Sequence, residues 1–125
     1  MTSIGRMRSV VLDCPDTQVL AEFYRDLLGW EIIYAGYDEE DGWTVLSDGG
    51  PIRIGFQRAA DYRPPRWPDP EHPQQFHLDL MVDDLDVAEN QALELGARKA
   101  DVQPSPDSFR VFLDPADHPF CLCVD

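Results

Sequence analysis

The sequence is poor in basic residues. Only 10 lysines and arginines stand against 24 aspartates and glutamates among 125 residues, so the formal net charge is −14. Proteins that bind nucleic acids neutralise phosphates with a basic face, and anionic membrane surfaces attract the same residue types. This composition therefore argues against nucleic acid and membrane partners and favours a small-molecule ligand.

Long apolar runs and paired cysteines are also missing. No segment approaches the ~20 apolar residues that cross a bilayer, and the N-terminal MTSIGRMRS lacks the apolar stretch of a signal peptide. The three cysteines, Cys14, Cys121 and Cys123, form no CxxC motif and are odd in number, which argues against a disulfide framework or a zinc finger. We expect reduced thiols in a cytoplasmic protein.

An internal repeat is the main feature that the sequence does contain. SVVLDCPDTQVLAEFYRDLL at 9–28 matches HLDLMVDDLDVAENQALELG at 77–96, at an offset of 68 residues. Each segment is an alternating apolar run followed by an aspartate and an amphipathic stretch. This pattern predicts a strand and then a helix in both halves.

The predicted helices carry matching end signals, and matching strands follow them. Asp16 and Asp84 are predicted to cap the helix N-termini, and Gly29 and Gly96 to end the helices in the left-handed conformation. Three short β runs separated by turn residues follow each glycine. Each half is therefore predicted to be βαβββ.

We therefore predict a single α+β domain at 1–125, with modules at about 8–57 and 76–125. The linker between them, about 58–75, holds five of the eleven prolines. Such a segment cannot be a helix or a central strand, and we expect an extended, polyproline-like connection.

Two βαβββ modules in about 125 residues resemble the vicinal oxygen chelate superfamily, which includes glyoxalase I, extradiol dioxygenases and the bleomycin and fosfomycin resistance proteins. The signatures are AEFYRDLLGW at 21–30, FHLDLMVDDLD at 76–86 and LDPADHPFCLCV at 113–124. The resemblance implies that each module curls into an incomplete barrel. It also implies a pocket inside the curl, usually with a divalent metal.

Strand alternation predicts which side chains face that pocket. Apolar residues on the opposite face, among them Ile52 and Phe76, are expected to pack. The polar or soft side chains left facing the pocket are Ser9, Arg53, Gln57, His77, Asp79 and Cys121.

The resemblance also bears on metal binding, because metal-dependent relatives take one His, Glu or Gln ligand from the first and last strand of each module. The corresponding positions here are Ser9 and His77 in the first strands, and Arg53 (or alternatively Gly55) and Cys121 in the last strands. Only His77 is a standard ligand, and a catalytic zinc needs three. We expect no bound metal; the alternative is a zinc ion held by His77, Cys121 and Asp79.

Each candidate residue also has a purely structural explanation. His77 either contacts a ligand or only hydrogen-bonds to Asp79 or to backbone. Arg53 either holds an anionic ligand or pairs with Asp13 or Asp79. Cys121 is either a nucleophile or, as we favour, a packed thiol.

Two functions stay open at this point. The first is a small-molecule-binding protein without the usual metal site, holding a cationic or aromatic ligand. The second is a lyase, isomerase or oxygenase in which His77 and Asp79 act as acid and base, with or without a metal. The ligand contacts expected in the first case are Ser9, Arg53, Gln57, Trp67, His77 and Cys121.

Two further expectations concern assembly and the linker. A homodimer is expected, because the relatives implied by the resemblance usually pair and open sheet edges need cover. Trp67 lies in the linker with no strand or helix face to fill. We expect it to cover the pocket mouth or a partner subunit near it.

Overall fold

A computed structural model of the chain describes residues 6–124. The elements run βαβββ twice, and the chain divides into two compact units between Tyr62 and Arg63. The predicted α+β class and the repeat are confirmed. No helix in the described part of the chain is long and apolar enough to span a membrane.

Each module consists of one helix and one four-stranded sheet. The first contains β1 (Ser9–Cys14), α1 (Thr17–Leu28), β2 (Glu31–Gly36), β3 (Trp43–Ser47) and β4 (Arg53–Arg58). The second contains β5 (Leu78–Met81), α2 (Leu85–Leu95), β6 (Arg98–Lys99), β7 (Phe109–Leu113) and β8 (Pro119–Cys123).

The two sheets have the same topology. The strand orders are β1-β4-β3-β2 and β5-β8-β7-β6. The first and last strands of each module pair in parallel, and all other neighbours are antiparallel. Neither sheet closes on itself, which agrees with the prediction of incomplete barrels.

Both helices begin and end at the predicted residues. A carboxylate oxygen of Asp16 accepts the backbone N–H two residues later at 2.9 Å, and one of Asp84 accepts the N–H three residues later at 3.0 Å. Gly29 and Gly96 end the helices at φ 70° and 113°, a conformation that glycine adopts without a Cβ penalty. The repeat therefore extends to the helix caps.

Aromatic pairs form part of the core of each unit. Tyr24 of α1 stacks on Phe56 of β4 with ring centroids 5.8 Å apart. In the second unit, Phe112 of β7 stacks on Phe120 of β8, also at 5.8 Å. All four side chains are fully buried. Each such side chain contributes roughly 1.5–3 kcal/mol by its removal from water.

The proline-rich segment has no helix or strand at 59–77, as predicted. Its centre, however, is a hydrogen-bonded turn, and the polyproline-like prediction is wrong there. The backbone N–H of Arg66 donates to the carbonyl of His72 at 2.7 Å, and Asp69 N–H donates to the carbonyl of Arg66 at 2.7 Å. An Asp69 carboxylate oxygen also accepts the N–H of Glu71 at 2.9 Å. Local acceptors thus satisfy the backbone and fold the segment back.

Candidate functional site

The first module places its predicted polar residues along β1 and β4. Ser9 and Arg53 are Cα partners and both are half-buried, whereas Gln57 is level with Asp13 and both are exposed. Asp13 lies four residues beyond Ser9, which is roughly 13 Å along a strand at about 3.3 Å per residue. The register therefore does not favour an Arg53–Asp13 ion pair.

Trp43 covers the middle of this face. A Cβ built on Gly55 would lie 2.5 Å from Cη2 of Trp43, so the indole ring rests directly on the glycine backbone. Any side chain at position 55 would have to displace that ring. The signal available in the sequence was the glycine itself, because glycine inside a strand often marks a close approach.

The strand register decides which first-module residue corresponds to Cys121. Cys121 pairs with Asp79 in β5, and Gly55 pairs with Val11, the residue 68 positions before Asp79. By strand register, Gly55 is therefore the counterpart of Cys121, which favours the alternative to Arg53. A glycine offers no side-chain ligand. The four-position metal centre implied by the resemblance does not fit the residues of this chain.

In the second module, three polar or soft side chains come together. Nε2 of His77 lies 3.2 Å from Oδ1 of Asp79. With Sγ of Cys121, one ligand atom from each residue lies within 4.8 Å of the other two. The His77 and Asp79 side chains are 43% and 64% exposed, whereas Cys121 is 6% exposed. The cluster therefore has an open side and a buried base.

The thiol at the base of this cluster is protonated. Burial, reinforced by the charge of Asp79, raises the pKa of Cys121 to about 12. The same two causes raise the pKa of Cys123. A nucleophilic cysteine needs a lowered pKa, so the packed-thiol interpretation of Cys121 is favoured. His77 has the contact with Asp79 that its structural explanation requires, and its ring is still accessible.

Trp67 belongs to the second unit and packs against a buried group that includes Cys121. It is half-buried and packs against the small core formed by Ala100, Val111 and Cys121, together with Phe109 and Cys123. Trp67 is therefore anchored on the sheet beside Cys121. Sequence reasoning missed Phe109. Its signal was the repeat, since Phe109 and Trp43 are the first residues of β7 and β3.

Two residues predicted to pack on the opposite face do not. Ile52 and Phe76 are 45% and 46% exposed. Both precede the strands to which the alternation was applied, since β4 begins at Arg53 and β5 at Leu78. Within β4, Ile54 and Phe56 are buried as predicted.

Comparison with known families gives one match over most of the chain. A sequence model described as a glyoxalase-like domain matches residues 9–123. No curated protein matches the chain.

Solved structures share the fold at low sequence identity. A glyoxalase/bleomycin resistance protein/dioxygenase family enzyme from Burkholderia phytofirmans PsJN is 18% identical, with 93% of this chain and 95% of that chain covered and a TM-score of 0.69. The fosfomycin resistance protein FosX from Mesorhizobium loti is 15% identical, with coverages of 99% and 94% and a TM-score of 0.65. TnmS3, an antibiotic binding protein from Streptomyces sp. CB03234, is 18% identical, with coverages of 99% and 98% and a TM-score of 0.63.

Proposed function

The chain belongs to the glyoxalase-like domain family, and from that premise we propose that it binds a small organic molecule on the second module without the family's four-position metal centre. The observation that carries this proposal is the position of Trp67. Its indole packs beside a cluster whose His77 and Asp79 side chains are open to solvent. An aromatic wall beside a few accessible polar groups is the usual composition of a small-molecule site.

The chemistry of these residues suggests the ligand class. Indole and phenyl rings attract flat aromatic groups and cations, and Asp79 adds a negative charge beside them. The formal net charge of −14 also favours a cationic ligand over an anionic one. We therefore propose an aromatic or cationic ligand held by Trp67, His77 and Cys121. One structural neighbour is named as an antibiotic binding protein, which is consistent with a small-molecule ligand.

In the first module, we propose Ser9, Arg53 and Gln57 as ligand contacts, on the strands that correspond to β5 and β8. An Arg53 guanidinium suits a carboxylate, phosphate or enolate, which it can hold through two hydrogen bonds. If the ligand carries such a group, Arg53→Gln should weaken its binding. The affinity of a ligand without such a group should not change.

The test begins with a thermal-shift screen of aromatic and cationic antibiotics, with fosfomycin as the anionic comparison. For any compound that stabilises the protein, Trp67→Ala should weaken binding by about 1–3 kcal/mol, as truncation of a central aromatic contact does. Trp30→Phe is the matched control, because Trp30 follows the end of α1 and is not among the proposed contacts. An unchanged affinity in Trp67→Ala, measured by calorimetry, would contradict the proposal.

A second candidate function is supported by the 3.2 Å contact between His77 and Asp79. A carboxylate that orients an accessible imidazole is suited to proton transfer, so the site could serve a lyase, isomerase or oxygenase. Mass spectrometry of a bound compound after incubation tests this. Turnover by the wild type that is lost in His77→Gln would establish an enzyme, and recovery of the unchanged compound would favour binding alone.

We also propose that the protein is a cytoplasmic homodimer. The end strands of both sheets leave backbone groups that a partner could cover, and Cys14, Cys121 and Cys123 form no disulfide. Because the charge of −14 per chain opposes association, salt should strengthen the dimer by screening. Light scattering that gives a mass of 14.2 kDa at every salt concentration would reject it.

A further inference from the structure

The misfit of the four-position metal centre leaves an uneven distribution of metal-binding side chains between the modules. In the first module, the counterpart of Cys121 is Gly55, and the ring of Trp43 occupies the space above it. In the second module, three residues each present a ligand atom at the same place. Any site for a cation built from these positions is therefore contained in the second module.

The backbone explains why these three ligand atoms converge. Asp79 and Cys121 are Cα partners in the parallel pair β5–β8. His77 lies just before β5, and its Nε2 is 3.2 Å from Oδ1 of Asp79, so these two side chains meet. Bonds of about 2.0–2.3 Å to a tetrahedral zinc place its ligands roughly 3.3–3.8 Å apart. The separation of 3.2 Å between Nε2 of His77 and Oδ1 of Asp79 is near that range, and one ligand atom from each of the three residues lies within 4.8 Å of the other two.

The ligand types select the ion. A thiolate, an imidazole and a carboxylate suit zinc and other thiophilic ions, whereas magnesium, calcium and manganese prefer oxygen ligands in larger number. Three protein ligands with a fourth position open is the arrangement of a reactive zinc site. Here the open position would lie on the exposed side of His77 and Asp79, since Cys121 is the buried member.

We propose that the second module by itself binds one thiophilic divalent cation, with Zn²⁺ as the physiological ion, through Nε2 of His77, a carboxylate oxygen of Asp79 and Sγ of Cys121. On binding, the S–H bond of Cys121 breaks, an S–Zn bond forms, and the proton leaves to solvent. The cation also offsets the repulsion between the thiolate and the Asp79 carboxylate, which lie side by side. This proposal replaces the metal-free expectation from sequence and does not depend on an organic ligand.

Cobalt titration tests the proposal directly. Full-length protein is stripped with a chelator and titrated with Co²⁺ alone, a spectroscopic substitute for zinc. We expect saturation at about one ion per chain, with a thiolate-to-cobalt charge-transfer band in the near ultraviolet. Zn²⁺ should then displace the cobalt and abolish the band. Cys121→Ser should lose the band, and the matched control Cys123→Ser, two residues along the same strand, should keep it.

Substitutions of the two exposed ligands distinguish a loss of metal binding from a loss of folded structure. His77→Ala and Asp79→Asn change solvent-accessible side chains, so far-ultraviolet circular dichroism should remain that of the wild type. Each should weaken Co²⁺ binding by more than about tenfold, the lower range found even for partners of metal ligands. No charge-transfer band in the wild type overturns the proposal. So does a band that survives Cys121→Ser or full affinity in both exposed-ligand variants.

Discussion

The first and second modules place different side chains at equivalent positions of the same sheet. At the register position where β4 carries Gly55 beneath Trp43, β8 carries Cys121 beside Trp67. In the neighbouring strand, Val11 of the first module corresponds to Asp79 of the second. The two modules therefore share a backbone topology but carry different side chains at equivalent positions. One copy fills its face with an indole, and the other keeps a polar cluster there.

The helices of the two modules also differ, in how many of their residues are buried. Five residues of α1 are buried and only two of α2, although both are amphipathic and both are capped by aspartate. The N-terminal module devotes more of its helix to packing. The C-terminal module relies on other buried groups, including Cys121 and the stacked rings of Phe112 and Phe120.

The largest expected effect tests whether the cores of the two modules contribute equally to the free energy of unfolding. Phe56 and Phe120 are fully buried, each stacked on a second ring at 5.8 Å. Phe56→Ala and Phe120→Ala should each lower the free energy of unfolding by about 3–5 kcal/mol, through lost burial and the cavity left behind. Urea unfolding measures both.

Phe76→Ala serves as the control for that pair, because Phe76 is 46% exposed. Its cost should stay within about 0.5 kcal/mol, as for ordinary surface substitutions. A cost below about 1 kcal/mol for either core variant would mean that one module contributes little to the measured transition.

A smaller effect should follow from adding a side chain at position 55 in the first module. Gly55→Ala places a Cβ 2.5 Å from the Trp43 ring, and such overpacking costs about 1–3 kcal/mol. Because the clash is with the indole, the same substitution in a Trp43→Ala background should be close to neutral. A double-mutant cycle by urea unfolding gives the coupling free energy. Equal costs in both backgrounds would show that the glycine is required for another reason.

Much of the fold was predictable because it is local and repeated. Asp16, Gly29, Asp84 and Gly96 mark helix ends by their own backbone chemistry, and alternation assigns faces inside the strands. Prediction failed where the chain is irregular. Ile52 and Phe76 stand just before strands, where alternation carries no information.

The members of the candidate site were predictable, and their grouping was one of the alternatives that the sequence left open. Asp79 and Cys121 lie within strands and His77 just before one, and the structure brings the three together. The contacts of Trp67 depend on how residues 66–72 fold back, which involves non-local packing that no periodicity encodes. The choice between Arg53 and Gly55 required the register of β1 against β4, which the sequence left open.

The last effect, which is small at neutral pH, concerns the thiol that the first module lacks at the equivalent position. Burial and the Asp79 charge raise the pKa of Cys121 to about 12, from an ordinary value of 9.0. Above pH 9 the unfolded chain releases this proton while the folded chain retains it, so ionisation favours unfolding. The stabilisation is therefore complete below pH 9 and is lost as pH rises toward 12. In the presence of a chelator, the wild type should lose stability relative to Cys121→Ser between pH 9 and 11, with a slope that approaches about 1.4 kcal/mol per pH unit above pH 10. Urea unfolding of both proteins at each pH removes the contribution of every other titrating group, because only the difference is used. A difference that stays flat across that interval would mean that the Cys121 thiol ionises equally in the folded and unfolded states.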